Sequence, residues 1–143
     1  MSCNRIAHEL VEFIPEVLSD CTLYVSEKYG TAVHKCACGC GEEVVTPLGP
    51  TDWSVALNQR GMTLYPSIGN WSFGCQSHYF IRDGEIVWAL QMTPGQIARV
   101  RARDRAAKEE YFASSADAES SSDRPVRTGL LNKLFQWLSR LWQ

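Results

Sequence analysis

The residues best suited to chemistry begin at His34-Lys-Cys36-Ala-Cys38-Gly-Cys40-Gly41 and resume 35 residues after Cys40 at Cys75-Gln-Ser-His78. Zinc takes four nitrogen or sulfur ligands around a tetrahedron, commonly from two tight turns. A glycine-punctuated cysteine cluster supplies one such turn, and the Cys75–His78 segment supplies the second. One solution uses Cys36, Cys38, Cys40 and Cys75. Another uses two of the first three cysteines with Cys75 and His78. Four protein ligands would close the site and make it structural, whereas a catalytic zinc keeps a position for water. A small core gains most from a structural staple, so the structural reading leads. Cys3 and Cys21 lack such neighbours and read as a thiol near the terminus and a small core residue.

Nucleophilic chemistry needs a hydroxyl, a base and a site for developing negative charge. Ser77 and His78 are adjacent, so on a strand they point to opposite faces and should not pair with each other. Ser67, in Pro66-Ser-Ile-Gly-Asn-Trp71, is placed to meet His78. Ser77 with His34 is the alternative pair if their strands are neighbours. Asp52 is the acid expected to orient the imidazole. The Gly69-Asn70 backbone is expected to offer N–H groups to an oxyanion. The Pro66–Trp71 stretch reads as a shaped loop between strands.

The elements that must position these groups are short strands. LVEFI (10–14), TLYVS (22–26), TAVHK (31–35) and EVVT (43–46) precede a break at Pro47, Gly49 and Pro50. WSVAL (53–57) and MTLYP (62–66) flank Asn58-Gln-Arg-Gly61. SHYFI (77–81) and EIVWA (85–89) flank Arg82-Asp83-Gly84, and Asp-Gly is a strong hairpin signal. Regular short strands predict a small, largely antiparallel, zinc-stapled β domain with appended helices, an α+β arrangement dominated by β. Thr93 caps and Pro94 opens a helix ending near residue 113. Its apolar face is thin, and Arg99, Arg101, Arg103 and Arg105 spread around it. The domain with its trailing helix thus spans 1–113, a polar Ser-rich linker 114–128, and an amphipathic helix 129–143. That last helix has Leu and Trp on one face and only basic charges on the other. It suits a protein groove, a membrane surface or its own domain.

The 143 residues are 45% hydrophobic and 21% charged, which excludes disordered and fibrous classes and fits one main core. Residues 1–92 carry five Lys/Arg against ten Asp/Glu, and residues 93–143 nine against six. An acidic body argues against nucleic acid as a partner. Glu9 and Glu12 interrupt any apolar stretch at the N-terminus, which predicts a cytoplasmic protein without a secretory signal. In a reducing compartment, clustered cysteines point to metal or reactivity rather than disulfides.

The order HxCxCGCG, Asp52-Trp53, PSIGNW, CxSHY and a following hairpin ending in Trp88 resembles a small bacterial zinc-binding domain family of unknown function. The resemblance covers roughly residues 8–112. Members of that family resemble components of bacterial ubiquitin-like conjugation operons, encoded beside ubiquitin-like proteins and homologues of ubiquitin-activating and ubiquitin-conjugating enzymes. Related operons include a metallopeptidase that trims or removes the modifier, a role this family would fill by analogy of position. By position the resemblance implies a peptidase acting on a ubiquitin-like protein, and the hydroxyl, imidazole and cysteine residues above make the leading reading serine-type with structural zinc. Its implied partners are the modifier and its activating and conjugating enzymes. Two other readings are carried: a non-enzymatic zinc-binding adaptor for the same proteins, and a zinc-dependent hydrolase with water as one metal ligand.

Overall fold

A computed structural model describes residues 2–122; the amphipathic segment 129–143 and the end of the linker lie outside the described residues. Among the described residues, eight strands precede one helix. They are β1 (Ala7–Leu10), β2 (Thr22–Ser26), β3 (Thr31–Lys35), β4 (Glu43–Pro47), β5 (Ser54–Asn58), β6 (Gly61–Gly69), β7 (His78–Arg82) and β8 (Glu85–Trp88), and α1 spans Pro94–Ser122. The strands form two sheets of four, ordered β1-β2-β3-β4 and β5-β6-β7-β8. Every pairing is antiparallel except β1 with β2, which is parallel.

Side-chain alternation explains how both sheets share a core. Leu23, Val25, Ala32 and Val44 from the first sheet pack with Met62, Leu64, Ile68, Tyr79, Ile81 and Ile86 from the second. Strand β2 is buried at all five positions because its other face is also covered. There Tyr24 packs with Val33 and Leu18, joined by Val11 and Ile14. This differs from the strand expected at 10–14. The ladder ends at Leu10, and the next residues turn across the sheet so that Val11 and Ile14 close over it.

The two hairpins of the second sheet follow from local chemistry. Asn58 pairs with Gly61 across a two-residue loop, and the Asn58 carboxamide oxygen accepts from the N–H groups of Arg60 (2.8 Å) and Gly61 (3.2 Å). Arg82 pairs with Glu85 around Asp83-Gly84, both at positive φ (51° and 75°), the backbone that a two-residue turn with this twist requires. Thr93 and Gln96 form a reciprocal cap on α1. The Thr93 hydroxyl accepts from Gln96 N–H at 3.3 Å, and Gln96 Oε1 accepts from Thr93 N–H at 2.8 Å. The helix runs to Ser122, beyond the end expected near 113. Among the described residues, those up to Arg105 form one compact unit and those from Ala106 a second.

Cys3 and Cys21 form a disulfide, correcting the expectation of two separate thiols. Parallel pairing of Ala7 with Thr22 carries the preceding segments together, and Cys3 N–H is anchored on Ala37 C=O at 2.8 Å.

Candidate active site and cysteine cluster

Strand β6 carries the irregularity on which the site depends. Leu64 stands opposite Ile81 and Ile68 opposite Tyr79, so four residues of β6 span two of β7. Such a bulge re-aims the side chains it contains. The Tyr65–Pro66 peptide within it is cis. The stretch expected as a loop, Pro66–Gly69, is instead the end of this strand; only Asn70 onward is loop. Gly69 lies directly opposite His78, which makes Ser67 and His78 diagonal neighbours on one face of the sheet.

On that face His78 Nε2 and Ser67 Oγ are 3.1 Å apart. His78 Nδ1 lies 2.9 Å from the Leu90 carbonyl oxygen. A carbonyl only accepts, so Nδ1 carries the proton, which leaves Nε2 to accept from the Ser67 hydroxyl. The Leu90 carbonyl is held in turn, because Ala89 N–H donates to His78 C=O at 2.9 Å. His78 is 6% exposed, and its ring lies 5.0 Å from that of Trp71 and 6.2 Å from that of Phe80. Trp71 occupies the space above Gly69, where a Cβ would stand 2.4 Å from the indole. A hydroxyl bonded to an imidazole whose other nitrogen is fixed by an acceptor is the arrangement that activates a serine nucleophile.

Two expectations about this chemistry are corrected. Asp52 does not orient His78, whose ring nitrogens are taken by Ser67 and Leu90; Asp52 lies in the turn before β5, its N–H on Gly49 C=O at 3.2 Å. Ser77 and His34 do not pair, because the Ser77 hydroxyl lies against Cys36 Sγ at 3.1 Å and Asn70 Nδ2 at 2.9 Å. His34 is fully buried with Nε2 2.8 Å from the Tyr79 hydroxyl, and burial pushes its pKa down to about 4. Burial likewise raises the Tyr79 phenol. Asn70 N–H donates to Ser77 C=O at 2.9 Å, which removes it from any oxyanion site.

The opposite face of β7 leads to the cysteines. Cys36, Cys38 and Cys40 lie on the turn joining β3 to β4, shaped by Gly39 and Gly41 at φ 85° and 88° and closed by Cys36 N–H on Glu42 C=O at 2.8 Å. Cys75 lies on the β6–β7 loop, which is pinned by Phe73 N–H on Asn70 C=O and Gln76 N–H on Phe73 C=O, both at 3.1 Å. The four sulfurs lie within 4.8 Å of one another. Neighbouring Sγ atoms are 3.4 Å (Cys36–Cys38), 3.9 Å (Cys36–Cys75) and 3.7 Å (Cys40–Cys75) apart. Four thiolates ~2.3 Å from a tetrahedral ion would be about 3.8 Å apart, so the cluster can hold a metal ion and is compatible with zinc. His78 is outside it. Ser77 Oγ approaches Cys36 Sγ at 3.1 Å, and Asn70 Nδ2 reaches Ser77 Oγ at 2.9 Å and Cys36 Sγ at 3.5 Å. Burial and hydrogen bonding to Cys40 raise the Cys38 thiol to about 12. At Cys75 burial also acts upward, yet hydrogen bonds with Ser77 outweigh it and bring the thiol to about 7.

Residue types alone did not single out Leu90 or Trp71 for these positions, and Asn70 was marked for its backbone rather than for the carboxamide that reaches Cys36 and Ser77. Leu90 acts through its backbone and leaves no signal in the sequence; the PSIGNW pattern marked Trp71 only as part of a group.

The chain is thus a β domain that bears a serine–histidine pair and, on the other face of the strand, a four-cysteine cluster that could hold a metal ion. Residues 10–89 match the family described as bacterial ubiquitination-like system serine protease (BubE), and the chain belongs to that family. No curated protein and no solved structure matches the chain.

Proposed function

We propose that the protein is a peptidase that processes or removes a ubiquitin-like modifier in a bacterial conjugation pathway. The observation that carries this reading is the Ser67–His78 contact at 3.1 Å with His78 held from behind by Leu90. Ser67 attacks the scissile carbonyl while His78 Nε2 takes its proton. The imidazolium then protonates the departing amine. Water, deprotonated by the same nitrogen, releases the acyl group and restores Ser67. The Leu90 carbonyl fixes the tautomer and accepts from the imidazolium, as a carboxylate would, without carrying a full charge.

Zinc bound by Cys36, Cys38, Cys40 and Cys75 would fasten the β3–β4 turn to the β6–β7 loop. Its role is structural, because all four positions are filled by sulfur and the hydroxyl–imidazole pair faces away from it. The test is incubation with the cognate ubiquitin-like protein carrying a C-terminal extension. Wild type should cleave it, and Ser67→Ala should not. Binding without cleavage would instead establish an adaptor. Cleavage that survives Ser67→Ala but stops on chelation, with the fold intact, would establish a metal-dependent hydrolase.

A further inference from the structure

Strand β5 stops short of the nucleophile. Its last pairing with β6 is Ser54 with Tyr65. At Trp53 the chain leaves for β4, with Trp53 N–H donating to Pro47 C=O at 3.0 Å and a bridge between Leu48 and Trp53. Among the described residues, 66–69 of β6 therefore have β7 on one side and no strand on the other.

The direction of the backbone groups on this segment follows from the ladder. In an antiparallel strand, the N–H and C=O of one residue point to the same side, and successive residues alternate. The His78 carbonyl accepts from Ala89 N–H, so His78 faces β8. Gly69, opposite His78, is consequently not hydrogen-bonded to it and turns away from β7. Asn70, one residue on, turns inward to Ser77 as alternation requires. Ser67 lies in the bulge between Leu64 and Ile68, where strict alternation lapses, so the ladder assigns an outward backbone to Gly69. Among the described residues, no hydrogen bond outside the ladders reaches the N–H or C=O of Ser67 or Gly69.

The geometry points to this open edge as the seat of the substrate chain, which adds as a strand antiparallel to β6 along the line that β5 abandons. The inference rests on the reading of Ser67 as nucleophile. The occupant is an extended peptide, because the nucleophile lies on the unpaired edge itself and the family is one of serine proteases. Main-chain pairing of this kind supplies affinity that is largely independent of side chains. Gly69 N–H and C=O hold one residue of the substrate, so Gly69 aligns the chain rather than meeting the developing oxyanion. Pro66 has no N–H to offer, which confines pairing to the Ser67–Gly69 end.

The test uses the full chain, a fluorophosphonate that labels activated serines, and competing aldehydes of the form acetyl-Lys-(Ala)n with n from one to four. The concentration halving the labelling rate should fall about tenfold as the peptide lengthens, the worth of one or two added hydrogen bonds. N-methylation of the one amide that pairs with Gly69 should reverse most of that gain, while methylation of its neighbour should change it by less than about threefold. In Ser67→Ala, the longest peptide should shift the Gly69 amide resonance. Length-independent competition, equal loss at both methylated positions, or a Gly69 amide that stays in place would overturn the edge site while leaving Ser67 labelling intact. Failure of the fluorophosphonate to label Ser67 would instead sink the nucleophile reading, and the Gly69 shift then decides the edge by itself.

Discussion

Ser77 and His78 are consecutive residues of one strand entry that serve opposite faces: Ser77 Oγ lies 3.1 Å from Cys36 Sγ, and His78 Nε2 lies 3.1 Å from Ser67 Oγ. The strand thereby separates the metal-binding cluster from the hydroxyl–imidazole pair while coupling both to one backbone. An error in the register of β7 by one residue would exchange the two. A metal ion held by Cys75 and the other three cysteines would fasten the β6–β7 loop and fix that register immediately before His78.

His78→Gln removes the base but keeps a side chain of similar reach. Fluorophosphonate labelling of Ser67 should fall by about a thousandfold, with melting temperature and metal content unchanged. A variant that labels normally would show that Ser67 is activated by another group.

Ala89→Pro removes the N–H that donates to His78 C=O and so loosens the Leu90 carbonyl behind Nδ1. Labelling should slow by about ten- to a hundredfold, less than for His78→Gln, because the base remains but its tautomer and orientation are no longer imposed. The comparison with Ala89→Gly, which keeps the N–H, separates this effect from a change of side chain.

At Gly69→Ala the new methyl group would meet the Trp71 indole at 2.4 Å, so the ring must leave its place beside His78. Intrinsic tryptophan fluorescence should change and labelling should fall. Adding Trp71→Ala should produce much less than the sum of the two single effects, since both act through the same ring. Strict additivity would mean that the indole was not what the methyl group displaced.

Purified protein should contain one equivalent of zinc, and chelation or Cys38→Ser should abolish cooperative unfolding. Asn70→Ala, which deletes the carboxamide touching Cys36 Sγ and Ser77 Oγ, should weaken metal binding by about ten- to a hundredfold without removing a ligand. Metal-free protein that melts as the wild type does would refute a structural role for the ion.

Reducing the Cys3–Cys21 disulfide, or replacing both with Ala, should lower unfolding free energy by about 3 kcal/mol, the chain-entropy value for a loop of this length. Denaturant midpoints of the oxidised protein, the reduced protein and the double variant read this directly.

Much of the fold was legible in the chain because it is written in local chemistry. TLYVS and TAVHK became β2 and β3 with the same boundaries, since their β-branched residues lie between turn-forming ones. Asp83-Gly84 gave a tight hairpin because those residues accept the positive φ it demands. The Cys36–Cys40 spacing and Cys75 marked one of two candidate ligand sets by residue type, and these four sulfurs do lie together. Family membership was likewise carried by the order of motifs from the cysteine cluster through PSIGNW to CxSHY.

Tertiary structure decided the rest, wherever partners far apart in sequence compete for the same atom. Sequence left His78 open between metal and serine; in the fold Ser67 lies diagonally across the ladder from it, while the Cys75 sulfur lies with the cysteines of the β3–β4 turn. Asp52 had the right chemistry to orient an imidazole, but the orienting atom is the carbonyl of Leu90, and a backbone carbonyl is present at every residue and marks none. Cys3 and Cys21 looked unrelated until the parallel pairing of β1 with β2 brought them together. Residue types and spacing determine which groups can react, because they fix local conformation and ligand chemistry; strand register and sheet order determine which of them meet, because a side chain's face depends on its partner strand as much as on its own sequence.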